Sequence, residues 1–121
     1  MKKSEFIELW LQALESGKYK QGKDVLKTKT GKYCCLGVAC EIANENKVRK
    51  IEIEEGVDQL LPLTLAKFLN ISSDGGFQFN VTHRGREYSS LTSLNDLGIT
   101  FKSIARIIRE QIKAKYFERY S

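Results

Sequence analysis

The sequence lacks any long run of apolar residues, and this lack excludes a helical membrane span. A span needs about 18 or more apolar residues in a row, and charged residues interrupt the 121-residue chain far more often than that. The chain also lacks an apolar stretch after its opening residues, where Glu5 and Glu8 follow two lysines. Because a secretory signal peptide requires such a stretch, we expect no signal peptide, no membrane partner and a location in the cytoplasm.

Histidine and cysteine are scarce. The chain has one histidine, His83, and three cysteines, Cys34, Cys35 and Cys40. An odd number of closely spaced cysteines is a poor disulfide framework and indicates reduced thiols in a cytosolic protein. These residues are also the ligand types of a Cys3His zinc site, but such sites favour cysteine pairs separated by about two to four residues. The spacing here is Cys-Cys-x4-Cys, so we favour small buried thiols and expect no metal and no cofactor.

Catalytic sequence motifs are missing as well. The sequence has no glycine-rich phosphate loop, no His-Glu-x-x-His segment and no Gly-x-Ser-x-Gly elbow. A Cys–His nucleophile pair would need His83 beside a cysteine, and the spacing gives no reason to expect this. We therefore expect no catalytic residues and a non-enzymatic protein. A nucleotide-cleaving enzyme is the third interpretation, ahead of a structural role, with Asp96, His83 or a cysteine as its only plausible chemistry.

What the chain does have is a globular composition, with 41% hydrophobic, 10% aromatic and 29% charged residues. At about 100–200 residues per domain, it forms a single domain over residues 1–121. Apolar periodicity predicts a helix-rich α+β fold with one or two short antiparallel β-hairpins and a long C-terminal helix. The predicted helices cover about 4–15, 36–46, 62–69, 91–97 and 101–117, and the predicted hairpin turns lie at about 29–32 and 82–87. Residues 47–60 are predicted as an edge strand or an ordered loop.

Capping residues set the expected helix ends. Ser4, Ser90 and Thr100 are the expected N-terminal caps, since a hydroxyl can accept from a free backbone N–H of the first turn. Gly17 is the expected end of the first helix, and Pro62 the expected first residue of the third.

The net charge of +5 is unevenly placed. It is +4 in residues 1–32, −3 in residues 33–100 and +4 in residues 101–121. On the predicted last helix, Lys102, Arg106, Arg109 and Lys113 fall within a strip about 60° wide. This strip is either an ordinary solvated face or a phosphate-binding face. Arg84 and Arg86, beside Gly85 in a predicted turn, form a second possible anion clamp.

Three stretches of sequence resemble a family of small, mostly uncharacterised proteins from bacteriophages and prophages. They are Trp10-x-x-Ala13-Leu14-x-Ser16-Gly17-x-Tyr19-x-Gln21-Gly22, then Tyr33-Cys34-Cys35-Leu36-Gly37-Val38-x-Cys40, then Leu91-x-x-Leu94-Asn95-Asp96-x-Gly98-x-x-Phe101-x-x-Ile104-Ala105-x-x-Ile108. Residues 47–90 have no counterpart in this pattern. Arg106 stands where the family pattern has an aspartate, so the helix is more basic here. The resemblance implies a small accessory role in the host cytoplasm.

The polar residues of the shared motifs suggest a ligand site. Gln21 and Asn95 are expected to read a base or ribose through paired donors and acceptors, and Tyr19 or Trp10 to stack on a base. Tyr33 and Asp96 belong to the same set, although turn and capping chemistry just before Gly98 is the simpler explanation of Asn95 and Asp96. The expected phosphate partners are Arg84, Arg86, Arg106 and Arg109.

These observations predict a phage-type accessory protein that binds and sequesters a small anionic ligand, a nucleotide-derived host defence signal. Phage context supplies this interpretation by analogy, and the residues alone do not. A homo-oligomer is expected, because a small chain builds a deep pocket most easily at a symmetric interface. The alternative is a binder or inhibitor of a host macromolecule, that is, a nucleic acid, a nuclease or a defence protein. Nucleic acid is less favoured because the middle of the chain is acidic.

Overall fold

The computed structural model describes residues 1–57 and 60–113. Within them the elements are α1 (Lys3–Ser16), α2 (Cys35–Glu45), α3 (Leu63–Leu69), β1 (Gly76–His83), β2 (Arg86–Ser90), α4 (Leu91–Asp96) and α5 (Phe101–Lys113). The two strands form one antiparallel sheet. The predicted α+β class and helix-rich architecture are confirmed. Among the described residues, no helix has the length and apolar character needed to cross a membrane.

Helix α1 follows the predicted apolar spacing, and Phe6, Trp10 and Leu14 are buried along one face. Gly17 ends the helix in the left-handed conformation, with φ 79°, as expected for a C-terminal cap. The expected cap at the other end is wrong. The Lys2 carbonyl accepts the first helical bond, from the Phe6 N–H at 3.1 Å, so the helix begins before Ser4.

Helix α2 is the buried centre of the domain. Eight of its 11 residues are buried, and the Cys34 sulfur caps it by accepting from the Gly37 N–H at 3.3 Å. Gly37 lets another part of the chain approach closely. A Cβ at this position would overlap the carbonyl oxygen of Leu26, which lies against the helix. The loop between α1 and α2 is therefore fixed against α2 at Leu26, near the middle of the loop.

In place of the first predicted hairpin, the structure has an isolated antiparallel bridge between Lys27 and Tyr33. Thr28 and Lys32 close the predicted turn with a 2.7 Å backbone bond, but strands do not form within residues 18–34. Tyr33 explains this outcome, because it forms bridges to both Lys27 and Gln21. Its N–H donates to the Lys20 carbonyl at 2.8 Å rather than extending a two-stranded ladder.

The described part of segment 47–60, residues 47–57, is an ordered loop rather than a strand. Asn44 at the end of α2 fixes it. The Asn44 Oδ1 accepts from the Ile51 N–H at 2.7 Å, and its Nδ2 donates to the Ile51 carbonyl at 2.9 Å. Helix α3 then starts at Leu63, with Pro62 as its N-terminal cap rather than its first helical residue.

The hairpin of β1 and β2 forms close to its predicted position. Val81 pairs with Tyr88, both buried, and His83 pairs with Arg86 at the tip. Arg84 and Gly85 connect the strands with φ values of 52° and 77°. Positive φ at both central residues is the requirement of a type I′ turn, whose twist matches that of the strands.

The two C-terminal helices are capped as predicted. The Ser90 hydroxyl accepts from the Ser93 N–H at 3.1 Å, and the Thr100 hydroxyl accepts from the Ser103 N–H at 3.2 Å. The expectation of a long last helix is corrected. As described, α5 has 13 residues against 14 in α1. Residues 114–117, which the apolar pattern also assigns to this helix, lie outside the described residues.

Candidate functional site

Asn95, expected to read a ligand, lies in the interior of the domain with 0% of its surface exposed. Its Oδ1 accepts from the Cys35 N–H at 3.2 Å and from the Gln21 side chain at 3.1 Å. Its Nδ2 donates to the Gly22 carbonyl at 2.8 Å and to the Asp96 carboxylate at 3.3 Å. All the bonding capacity of the amide is used within the protein. Asn95 thus ties the loop, the start of α2 and the end of α4 together.

Gln21 continues the same network. Its Nε2 also donates to the Ile99 carbonyl at 2.7 Å, and its Oε1 accepts from the Phe101 N–H at 3.1 Å. The second bond satisfies a free donor at the start of α5, which a helix N-terminus leaves without a partner within the helix. Gln21 and Asn95, the pair expected to read a base or ribose, contact each other and bond the protein's own backbone.

The stacking role expected for Trp10 is not available in this structure. The indole is 2% exposed, and its Nε1 donates to the Cys35 carbonyl at 2.9 Å. A buried indole N–H needs such a partner. Trp10 therefore fastens α1 to the start of α2.

The two tyrosines of the predicted site contact each other. The rings of Tyr19 and Tyr33 meet edge to face with centroids 5.3 Å apart, and the Tyr33 side chain is buried. The Tyr19 hydroxyl donates to Glu45 at 2.9 Å, while burial and this carboxylate raise the pKa of Tyr19. Tyr19 keeps a partly exposed ring, but its hydroxyl holds the loop against the end of α2.

Asp96 borders an open cleft of about 240 Å³. Its Oδ1 accepts from the Asp24 N–H at 3.0 Å, which places two carboxylates on the cleft. The other lining residues are Val25, Leu26, Cys34, Leu36, Leu60 and Thr92. Negative charge at the rim opposes a phosphate. The cleft next to the shared motifs therefore does not suit the anionic ligand that the motifs suggested.

The thiols are in environments that suppress their reactivity. The three cysteines are free. Burial raises the pKa of Cys34 and Cys35, and it raises the pKa of Cys40 to about 12. A nucleophilic or metal-binding cysteine must be a thiolate. Among the described residues, no group of three histidine, cysteine or acidic side chains is placed to hold a metal ion.

Arg109, an expected phosphate partner, is bound by two carboxylates of α1. Its guanidinium donates to Glu8 at 2.7 and 3.1 Å and to Glu15 at 2.7 and 3.4 Å. The hydrogen bond from Arg109 lowers the pKa of Glu8, and the two carboxylates raise the pKa of Arg109. Arg109 clamps α5 to α1, and its charge is already balanced.

We expect Glu8→Gln to destabilise the domain slightly at pH 7, by less than about 1 kcal/mol, because the Glu8 side chain is 49% exposed. A carboxylate whose pKa is lowered by folding stabilises the protein above its unfolded-state value of about 4.5. This contribution is lost as the pH falls through the lower folded-state value. Urea unfolding should therefore separate variant and wild type at pH 7, and the difference should shrink as the pH is lowered below 4.5.

Glu87→Gln is the matched control for this clamp, since Glu87 is exposed and has no cation within 4.0 Å among the described residues. It should leave the unfolding midpoint unchanged at both pH values. An equal effect of both substitutions would show that net charge, rather than the clamp, is responsible.

The predicted basic strip on α5 is partly occupied by contacts within the protein. Lys102 and Arg106 are exposed and lie about one helical turn apart. Arg109 is paired with α1, and the side chain of Lys113 lies outside the described residues. Among the described side chains, the unpaired cations of this strip are therefore Lys102 and Arg106.

The hairpin tip presents two further exposed arginines. Arg84 lies in the two-residue turn and Arg86 starts β2, and both side chains are exposed. The Arg86 guanidinium lies 5.7 Å from the ring centroid of Tyr88, which orients it by a cation–π contact. Neither arginine has a carboxylate within 4.0 Å among the described residues. This pair is separate from the motif residues, which lie at the other end of β2.

A protein-family model covers nearly all of this architecture. The model is described as "Domain of unknown function (DUF8296)" and matches residues 1–112, that is, 112 of the 121 residues. The chain belongs to this family. No curated protein and no solved structure matches it.

The DUF8296 match includes the buried amide network, the clamp and the hairpin tip. The description of DUF8296 assigns no activity, so the resemblance to phage proteins and the ligand remain predictions. The sequence pattern did not single out the carboxylates of the clamp, Glu8 and Glu15. The available signal was the spacing of Glu8 and Glu15, since residues seven apart lie on one face of a helix.

Proposed function

We propose that this protein is a phage-type accessory protein that binds and holds a small anionic ligand in the host cytoplasm without converting it. The ligand class that we favour is a nucleotide-derived defence signal. The observation that carries the proposal is the hairpin tip, where a two-residue turn holds Arg84 and Arg86 exposed and without a carboxylate partner among the described residues.

Arginine pairs of this kind suit phosphate groups. A guanidinium presents a planar set of donors that match two phosphate oxygens at once, and such charge-assisted bonds are roughly twice as strong as neutral ones. The type I′ turn fixes the backbone of Arg84, and the Tyr88 ring restrains Arg86. Because these groups are already oriented, little conformational freedom is lost when an anion binds.

The cleft, Arg109 and the thiols are each less suited to holding an anion than the hairpin tip is. The cleft beside the motif residues carries Asp24 and Asp96 and repels anions, and Arg109 is held by two carboxylates. The thiols have raised pKa values and are poor nucleophiles at neutral pH. These three observations favour a ligand that is held at the hairpin over one that is attacked in the cleft.

A hairpin tip projects, whereas small-molecule sites are concave. We therefore propose that the protein is a homo-oligomer in which a second copy supplies the other wall of the site. Size-exclusion chromatography with light scattering tests this part of the proposal, and a monomer at micromolar concentration would contradict it.

Thermal-shift measurements with a panel of cyclic nucleotides and ADP-ribose derivatives test the ligand class. We expect at least one compound to raise the melting temperature of the wild type at micromolar concentration. Arg84→Asn combined with Arg86→Gln should weaken that ligand at least tenfold, since each lost charge-assisted bond is worth about 1.5–3 kcal/mol. Asparagine at position 84 retains the turn, because Asn-Gly is a favoured type I′ pair.

Lys67→Gln is the control, since Lys67 is exposed on α3 and away from the hairpin. It should bind as the wild type does. Heat release of an intact ligand distinguishes sequestration from turnover. A panel that leaves the melting curve unmoved, or a ligand recovered in cleaved form, would overturn the proposed function.

A further inference from the structure

A second basic surface lies in the loop between α1 and α2. Residues 18–32, which we name the lysine loop, contain six lysines and one acid, Asp24. Six positive charges minus one leave +5, which equals the net charge of the whole chain. The lysine loop is thus strongly basic, and the charges of all the other residues sum to zero.

The backbone brings several of these lysines together. The Tyr33 N–H donates to the Lys20 carbonyl at 2.8 Å, and the Gly22 N–H donates to the Tyr33 carbonyl at 2.7 Å. Residues 20–22 therefore run beside residues 32–33. A Cβ on Gly22 would lie 2.9 Å from the Cβ of Lys32, so Lys32 stands directly against this segment. Lys20 and Lys32 lie in these paired segments, Lys23 directly follows Gly22, and all three side chains are exposed. We call these three residues the patch.

The patch keeps its charge available. Lys18 lies 3.7 Å from Glu45 and Lys27 lies 3.5 Å from Glu55, so these two lysines are partly neutralised. Lys20, Lys23 and Lys32 have no carboxylate within 4.0 Å among the described residues.

The lysine loop is also ordered before any partner binds. Leu26 is 1% exposed and lies against Gly37, and Gln21 is bonded to α4 and α5. A turn closed by Thr28 and Lys32 fixes the end of the loop. An irregular segment with this many backbone anchors presents its lysines at fixed spacing and loses little entropy when it binds.

We propose that the patch of Lys20, Lys23 and Lys32 contacts the phosphate backbone of a nucleic acid. Clustered lysines act as point charges that displace the counterions around phosphates, and this contact does not depend on base sequence. An anionic membrane would be the other large polyanion, but each lysine near its surface contributes only about 1 kcal/mol, and stable attachment takes a second, apolar signal. Of the larger apolar side chains in the lysine loop, Leu26 is buried and Tyr19 and Val25 are only partly exposed.

The test is fluorescence polarisation with a labelled 20-base-pair DNA duplex of mixed sequence between 50 and 200 mM salt. We expect the wild-type chain to bind, and Lys20→Gln/Lys23→Gln/Lys32→Gln to bind at least tenfold more weakly at low salt. The slope of log affinity against log salt should fall by about 2.7, since each lost phosphate contact contributes about 0.9. Thermal melting should be unchanged, because these side chains are exposed.

The matched control is Lys2→Gln/Lys50→Gln/Lys67→Gln, which removes the same charge from exposed positions outside the loop. It should retain most of the wild-type affinity and slope. Equal losses in both triple variants would show a general charge effect and overturn the proposal. Absence of wild-type binding at 50 mM salt, or binding to phosphatidylserine vesicles without binding to DNA, would also overturn it. The hairpin variant separates the two proposals, since Arg84→Asn/Arg86→Gln should still bind the duplex.

Discussion

Asn95→Ala is expected to destabilise the domain by about 4 kcal/mol. The substitution leaves the Cys35 N–H and the Gly22 carbonyl buried without a partner, and each such group costs about 1–3 kcal/mol. It also removes one of the two acceptors of the Gln21 Nε2 group, which are the Asn95 Oδ1 and the Ile99 carbonyl. A domain of this size has about 5–15 kcal/mol of stability in total, so the loss is a large fraction of it. Urea unfolding followed by circular dichroism measures the difference.

Asn46→Ala is the control for this prediction. Asn46 is exposed, and its side chain donates one 2.9 Å bond to the Ile42 carbonyl at the end of α2. Water replaces this bond when the amide is removed, and the expected change is within about 0.5 kcal/mol. A loss below 1 kcal/mol in Asn95→Ala would show that the buried network is not a main support of the fold.

Gly37→Ala is expected to destabilise the domain by about 3 kcal/mol, although alanine is the better helix former. Gly37 is the third residue of α2, and helix propensity alone predicts a gain of at most about 1 kcal/mol when alanine replaces it. The added Cβ would, however, overlap the carbonyl oxygen of Leu26, and a backbone atom cannot move aside as a side chain can. Such overpacking typically costs about 1–3 kcal/mol. The sign of the measured change therefore decides between local propensity and tertiary contact.

Gly31→Ala provides the comparison for that result. Gly31 has φ 80° and open space around its Cα, so alanine there meets conformational strain without a clash. The expected cost is about 1 kcal/mol. If Gly37→Ala proves neutral or stabilising in the same unfolding assay, Leu26 does not lie against α2 as described.

Local sequence patterns were enough to locate most of the secondary structure. The spacing of Phe6, Trp10 and Leu14 is a property of the helix itself, and the caps at Ser90 and Thr100 act within three residues. The first hairpin was overestimated because Tyr33 pairs with Gln21 as well as Lys27. That competition involves a segment outside the alternating pattern, so the pattern gave no sign of it.

The candidate site was harder to predict, because sequence shows a side chain's chemistry but not its partner. An amide such as Asn95 has the same donors and acceptors whether it meets a ligand or the backbone. Arg109 resembles a free cation until Glu8, 101 positions earlier in the chain, is placed beside it. By contrast, Arg84 lies in a two-residue turn and Arg86 directly follows that turn, so their environment is set by their neighbours in the sequence. Their exposure was therefore the part of the site that the local sequence pattern could best predict.

The buried amide network also constrains how the chain reaches its native state. The bonds of Asn95 to Cys35 and Gly22 close segments of 60 and 73 residues, and the bond of Gln21 to Phe101 closes one of 80. Contacts this distant in sequence form slowly, since the entropy of closing the intervening chain is lost first. During synthesis, Gln21, Gly22 and Cys35 lack their bonds to Asn95 and Phe101 until residues 95–101 have left the ribosome. Residues 21–35 and 95–101 therefore acquire their final structure together, as one cooperative unit.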